Sequence, residues 1–247
     1  MKVVICSLGG SVGKTTITAH MLCPRMPDAK VITVDTSNAT VKHFGIDADE
    51  YSGEEFTKLY KQLVRLDTAI IDVGGSKEGK EFLEGMDWMD GHDEIDAFVI
   101  PSTSDDKSQK ATFKTIELLM AQGVAKNKIK VIFNGVVKNT VDEFDYLLGA
   151  LTAHQIPFAI ESTIFKHDLF DILSVQKRSL ESILKDKTNY KQLVQKSDDD
   201  AQLAKLMDLM VAQKAAPKVN ENLDTVFNSL FPVKKAEVEP KRASAKA

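Results

Sequence analysis

The chain has little cysteine: Cys6 and Cys23 are the only two in 247 residues. They lie far apart in the sequence, which excludes a disulfide framework and a paired-thiolate metal site, and a reducing cytoplasm is the setting expected. Cys6, inside an apolar run, reads as a small core residue. Long hydrophobic runs are also missing, so no membrane span is expected. The opening "MKVVICSLGG" has no charged region followed by a long apolar stretch, so no secretory signal is expected either. Positive charge is not in excess. A net charge of -4 argues against a wholly basic nucleic-acid surface and leaves room only for a local patch. No internal repeat is visible.

What is present begins at the N-terminus. "KVVIC" is a short β-branched run suited to a buried strand, and "GGSVGKTT" (9–16) follows it at once. Gly9, Gly10 and Gly13 let the backbone turn sharply, so that its N–H groups, those of Ser11 and Val12 included, close around an anion. Lys14 is placed to reach the β- and γ-phosphates of a nucleotide, and the Thr15 hydroxyl to ligate Mg²⁺. "TTITAHML", from Thr15 through Thr16, reads as a helix whose positive dipole end faces the phosphates. A ligand-free glycine turn is the competing reading. A strand, this loop and a helix in sequence are far more specific than glycines alone. The first glycine of the general G-x-x-x-x-G-K-[ST] pattern falls on Leu8.

Downstream, apolar runs alternate with helical patterns. "KVITV" (30–34), "TAIID" (68–72), "DAFVIP" (96–101) and "KVIFNG" (130–135) read as buried strands. Helices are expected over 54–66, 77–86, 107–123 and 141–155. This alternation predicts an α/β fold, a mainly parallel sheet with helices on both faces and ligands at the carboxyl ends of the strands. "IPFAIESTI" offers a further short strand, and "HDLFDILSVQKRSLESIL" reads as helical. An acidic start and apolar spacing mark "DDDAQLAKLMDLMVAQK" as another helix. Three parts are expected: a nucleotide-binding domain over 1–215, an amphipathic segment over 216–231, and a disordered basic tail over 232–247. The segment's face carries Leu223, Val226, Phe227, Leu230 and Phe231.

Mg²⁺ and an attacking water need carboxylates near the loop. In "TAIIDVGGS", Asp72 ends an apolar strand where an acid holds Mg²⁺ through water, with a turn cap as the bland alternative. Gly74 and Gly75 let the backbone approach a γ-phosphate. Asp35, ending the second strand, supports Mg²⁺, positions water or starts a turn. The Asn134 amide suits an adenine edge, although a strand-end Asn is more often a turn residue.

These residues resemble the ParA/MinD family of deviant P-loop ATPases, which segregate plasmids, chromosomes and division machinery. The likeness spans most of 1–185: "GGSVGKTT", "VDTSNAT", "AIIDVGG", "DAFVIPSTSDDKSQKATFKTIELL", "VIFNGV" and "IPFAIESTIFKHDLFDIL". In the ParA branch the residue matching Leu8 is often not glycine. "DVGGS" is similar to ParA-like proteins of conjugative plasmids. The resemblance implies ATP and Mg²⁺ as cofactors, catalytic roles for Lys14, Asp35 and Asp72, and an ATP-dependent homodimer. Two positions depart from it. The family's signature lysine, which crosses to the partner's nucleotide, falls on Gly9, and its catalytic acid falls on Ser37. Without that cation, charge on the phosphoryl oxygens loses stabilisation, so hydrolysis is expected to be slow or to need help. Lys77, Lys80 and Lys107 are possible internal substitutes that no spacing selects.

Three functions compete. The first is an ATP switch acting on DNA position, with Lys166, Lys177, Arg178, Lys185, Lys187, Lys191 and Lys196 as the DNA-contacting surface, or as an ordinary charged helix face. The second is a non-hydrolysing nucleotide-binding adaptor that docks a partner protein; a DNA-binding or transfer-apparatus adaptor protein is the expected protein partner. The third, ranked last, is a small-molecule kinase. The C-terminal stripe is short for membrane binding, and core packing is the expected use of its face.

Overall fold

The computed structural model describes residues 1–35 and 41–232. Seven strands form one wholly parallel sheet in the order β3-β2-β4-β1-β5-β6-β7. They are β1 (Lys2–Ile5), β2 (Lys30–Val34), β3 (Asp49–Tyr51), β4 (Ala69–Val73), β5 (Ala97–Ser102), β6 (Ile129–Val136) and β7 (Thr163–Phe165). The apolar runs that read as strands are the central ones, because a parallel strand covered on both faces needs apolar side chains on both. Val4, Ile32, Ile71 and Phe98 face one core, whereas Val3, Ile5, Ile70 and Val99 face the other. Adjacent residues of a strand point to opposite faces, and both faces are buried.

The first core is covered by α3 (Phe56–Leu63), α4 (Ser76–Trp88), α5 (Asp106–Ala121) and α7 (Asp145–Ala153), with the short α6 (Thr140–Glu143) leading into α7. The second lies under the helical segment after β1, with α8 (Leu169–Gln176), α9 (Leu180–Lys185), α10 (Tyr190–Val194) and α11 (Asp200–Leu230). The segment after β1 changes pitch along its length. It is α-helical as α1 (Lys14–Ile17), π-helical over Thr18–Leu22, and α-helical again as α2 (Cys23–Arg25). Pro24 has no N–H to give to His20 O, and its ring crowds that carbonyl. A widened turn relieves the clash. Arg25 Nη1 instead donates to His20 O at 3.3 Å and Met21 O at 3.2 Å.

Several expectations shift. The stretch expected as one helix over 167–184 is two, separated at Lys177, whose φ of 52° is left-handed. The helix expected over 141–155 breaks at Phe144. The boundary expected at 215/216 lies inside α11, which continues through Pro217. Leu223, Val226 and Leu230 are buried there, with Phe227 and Phe231 packed against the same core. Among the described residues no helix is long and apolar enough to cross a membrane. From residue 233 on, the expected basic tail lies outside the described residues.

Candidate nucleotide site

Central strand β1 has β4 on one side and β5 on the other, so the chain order reverses across it. The loop after such a strand opens into a crevice at the carboxyl edge, where α/β sheets place ligands. Here the loop ends at Gly13, whose φ of 85° caps α1 in the left-handed region. That residue has to be glycine for a second reason: a Cβ would run into the Asn134 amide. Asn134 Nδ2 donates to Val12 O at 3.0 Å, strapping the loop to β6. Asn134 sits at a register shift between β6 and β7, beside Gly135 with φ of 74°. The bulge turns its side chain toward the loop.

A cavity of about 370 Å³ lies over the loop, lined by Gly10–Thr16 together with Asp35, Gly74 and Gly75. Every loop residue expected to hold phosphate except Gly9 therefore lines one space. Lys14 is 7 % exposed, and its Nζ donates to Gly9 O at 3.2 Å. Burial lowers its pKa, while the charges of Asp72, Cys6 and Asp35 pull it back up. Asp72 is 3 % exposed, and its Oδ1 has no hydrogen-bond partner among the described residues. Burial raises its pKa to about 6, against the pull of the Thr15 hydroxyl and the Lys14 charge. Asp35 lies against Gly74, where a Cβ would stand 2.5 Å from its Oδ2. Gly74 N–H in turn donates to Val34 O at 2.8 Å. Ser37 lies outside the described residues.

Gly9 braces the loop. Its N–H donates to Ser7 Oγ at 3.0 Å, while Leu8 N–H donates to Thr115 Oγ1 of α5 at 3.0 Å. A Cβ at residue 9 would stand 3.3 Å from Ser7 Oγ and 3.4 Å from both Ala111 Cβ and Val12 Cγ1. Lys77 and Lys80 pair along α4 with Glu81 and Glu84, each at 3.5 Å, and Lys107 is exposed on α5.

A second cavity, about 190 Å³, opens on the other side of α1 and shares Gly13 and Thr16 with the first. Its walls are Ile17, Ile164, Phe165, Phe170 and Leu223, with Asn134 beside the loop. His20 lines it too, a residue that the sequence did not mark. Burial pushes its pKa down to about 4, so the ring is neutral.

The donor set fits a small hard cation. Thr15 and Asp72 offer oxygen alone, and the orphaned Asp72 Oδ1 is a buried acceptor in want of a partner. Among the described residues no three His, Cys, Asp or Glu side chains gather as a metal site of their own. That suits Mg²⁺, which binds through one or two protein oxygens plus phosphate.

No family model and no curated protein matches this chain. Solved structures do. Apo McdA from Cyanothece aligns at TM-score 0.54 and 15% identity, over 85% of this chain and 98% of that one. MinD from Pyrococcus horikoshii, solved with Mg-ADP, aligns at 0.51 and 13%, over 94% and 99%. A plasmid partition protein from Borrelia burgdorferi, solved with AMPPNP, aligns at 0.50 and 15%, over 85% and 98%. The chain thus has the fold of the MinD- and ParA-type deviant Walker ATPases.

Proposed function

We propose that this chain is a nucleotide-dependent switch that binds ATP with Mg²⁺, hydrolyses it slowly, and acts in DNA segregation, plasmid stability or transfer. The observation that carries the reading is the pairing of two buried, under-bonded charges at the loop. Lys14 has Gly9 O as its hydrogen-bond partner among the described residues, and Asp72 Oδ1 has none. Burying a charge without full pairing costs free energy, and a ligand that completes both removes the cost. In the proposed complex Lys14 turns from Gly9 O to the phosphate oxygens, and the loop N–H groups and the α1 N-terminus hold the rest. Thr15 holds Mg²⁺, with Asp72 behind it through water, and the ion neutralises charge on the β- and γ-phosphates. Asp35, against the Gly74 backbone, links the loop after β4 to the phosphate end. The nucleotides carried by the Pyrococcus and Borrelia proteins support this reading at the level of a shared fold.

For DNA contact, the candidate cations divide. Arg178 is tied to Asp186 at 2.7 Å and Lys185 to Glu181 at 2.5 Å. Lys166, Lys177, Lys187, Lys191 and Lys196 are exposed and remain the proposed contacts. A homodimer and an adaptor protein are proposed partners on the same footing. The packing around Gly9 favours one alternative, a nucleotide-binding adaptor that does not hydrolyse, since a side chain at the second lysine's place meets Ser7, Val12 and Ala111 at 3.3–3.4 Å.

Calorimetry with ATP, with and without Mg²⁺, and turnover assays with and without DNA decide between them. Tight Mg²⁺-dependent binding is expected, weakened about a hundredfold or more in Lys14→Ala, because a charge-assisted contact to phosphate is lost. Slow turnover abolished in that variant supports the switch. Binding with no turnover, even with DNA, supports the adaptor. Absence of binding by the natural chain ends both.

A further inference from the structure

The chain's one tryptophan lies on the surface. Trp88 closes α4 and is 89 % exposed, although an indole is normally largely covered. It makes no hydrogen bond and no ring contact among the described residues. Beside it runs a groove of about 220 Å³, between the end of α4 and the 3-10 turn at Gly53–Glu55. Two glycines let these elements close on each other. A Cβ on Gly85 would stand 2.5 Å from Phe56 Cβ, and one on Gly53 would stand 2.7 Å from Glu81 Cβ. Gly85 weakens α4 from inside, and the close approach to Phe56 is what it permits. Phe56 and Met89 give the groove an apolar wall.

Its polar wall has one sign. Glu54, Glu81 and Glu84 line the groove. Glu84 precedes Trp88 by four residues, so the two share a side of α4. Glu81 and Glu84 stand 3.5 Å from Lys77 and Lys80, two mostly exposed lysines that hold them weakly. Glu54, Asp87 and Asp90 are exposed, and their carboxylates have no hydrogen bond or ion pair among the described residues. No lysine or arginine occurs between Lys80 and Lys107. Lys58, next to Thr57 of the groove wall, is taken by Glu55 at 2.5 Å.

An open indole face among carboxylates recognises a cation. A guanidinium suits it better than an ammonium, because its plane stacks on the ring while its N–H fork reaches the carboxylates. The same carboxylates repel a nucleic acid.

We propose that this groove docks an arginine-bearing, net positive segment of a partner protein. One guanidinium lies on Trp88 within reach of Glu54 and Glu84, and an apolar neighbour covers Phe56 and Met89. The surface is separate from the phosphate loop. Helix α4 begins at Ser76, next to Gly75 of the nucleotide cavity, and its 13 residues carry the chain to Trp88, roughly 20 Å away. Docking here does not require the nucleotide reading.

Because Trp88 is the sole tryptophan, the fluorescence of the full chain reports on this groove. The probe is a synthetic peptide of repeated Ala-Arg-Leu-Gly units. Its counterparts carry lysine, or citrulline, which has the shape of arginine without the charge. The arginine peptide is expected to shift the emission saturably, and its affinity to fall as salt rises. The lysine peptide should bind about threefold more weakly and the citrulline peptide about tenfold or more. By calorimetry, Trp88→Ala and the double variant Glu54→Gln with Glu84→Gln should each weaken binding by about five- to tenfold. Trp88→Phe should recover part of the loss. All three positions are exposed, so the variants should fold as the natural chain does. No saturable shift, equal affinity for the citrulline peptide, or undiminished binding by Trp88→Ala overturns the proposal. Two other occupants overturn it as well. Emission that changes with protein concentration alone would put a second copy in the groove. Emission that changes without peptide in the full chain carrying Lys241→Glu with Arg242→Glu would put the chain's own basic segment there.

Discussion

Two buried cations stand at the ends of the same helical segment, and the protein treats them in opposite ways. Burial lowers the pKa of both Lys14 and Arg25. Lys14 at the start is held by one long hydrogen bond, to Gly9 O at 3.2 Å. Arg25 at the end donates to Asp224 Oδ1, to His20 O, to Met21 O, and to both the carbonyl and the side chain of Asn220. A charge-saturated guanidinium locks the segment to α11 and has nothing left for a ligand. An under-bonded ammonium beside a carboxylate with one unpartnered oxygen is, on the proposed reading, a site held ready at the expense of stability. The difference gives a criterion for separating structural from functional charge: count what remains unsatisfied after burial.

Breaking the phosphate end should therefore stabilise the empty protein. The Asp72 carboxyl rises from 3.8 in the unfolded chain to about 6 in the fold because it is buried. Between these values the folded state holds more protons than the unfolded one, so stability falls as pH rises from about 4 to about 6 and is flat above. The drop is on the order of 3 kcal/mol. Asp72→Asn, with no titrating proton, is expected to remove this slope and to unfold at higher temperature than the natural chain at pH 7, both measured in EDTA without nucleotide. The same variant should lose the Mg²⁺ enhancement of ATP binding. Superimposable stability–pH curves for the two proteins would mean that Asp72 is a satisfied structural acid, and the contrast with Arg25 would collapse.

How much of this was legible beforehand follows the same division. The loop, Asp72 and the central strands were readable because each is a local pattern: "KVVIC" before "GGSVGKTT", and "TAIID" before two glycines. Strand β3 was not, since "DEY" at a sheet edge carries no apolar run. The break at Lys177 lacks a glycine or proline to announce it. The helix read over "TTITAHML" goes on past Pro24, because a π turn lets it continue. The segment expected to begin at 216 is part of α11, which runs on through Pro217 because its buried face outweighs the lost bond. His20, Arg25 and the strap from Asn134 to Val12 were beyond reach. Their partners lie 160, 195 and 122 residues away, and only the folded sheet brings them together.

The Arg25 end should respond in the opposite sense. Arg25→Ala removes a buried charge and strands the carbonyls of His20, Met21 and Asn220, so a loss of about 2–3 kcal/mol is expected in urea denaturation. Arg25→Lys should recover little, since a single ammonium cannot span acceptors placed for a planar fork. ATP affinity per folded molecule should change little, in contrast to Lys14→Ala. A large loss of affinity with intact stability would show that the α11 clamp belongs to the site.

The smallest effect is expected where the resemblance departs most. Gly9→Lys restores the lysine that the ParA/MinD pattern carries. No positive φ forbids a side chain there, but the Cβ must enter a gap bounded at 3.3–3.4 Å by Ser7, Val12 and Ala111. Small shifts of those neighbours cost about 1 kcal/mol, and the variant should fold. A returned cation stabilises charge on the phosphoryl oxygens only if it reaches them, and the brace between Leu8 and Thr115 holds this part of the loop against α5. Residue 37 is also serine, so the carboxylate that orients water in the pattern is still missing. On the proposed reading the two departures act on one step, and repairing one leaves the other in place. Turnover in Gly9→Lys is expected to rise by less than about tenfold, measured at several protein concentrations so that a dimer-dependent gain is seen. A gain of several hundredfold would show that the lysine was the whole deficit, and that the loop around Gly9 opens more easily than its packing indicates.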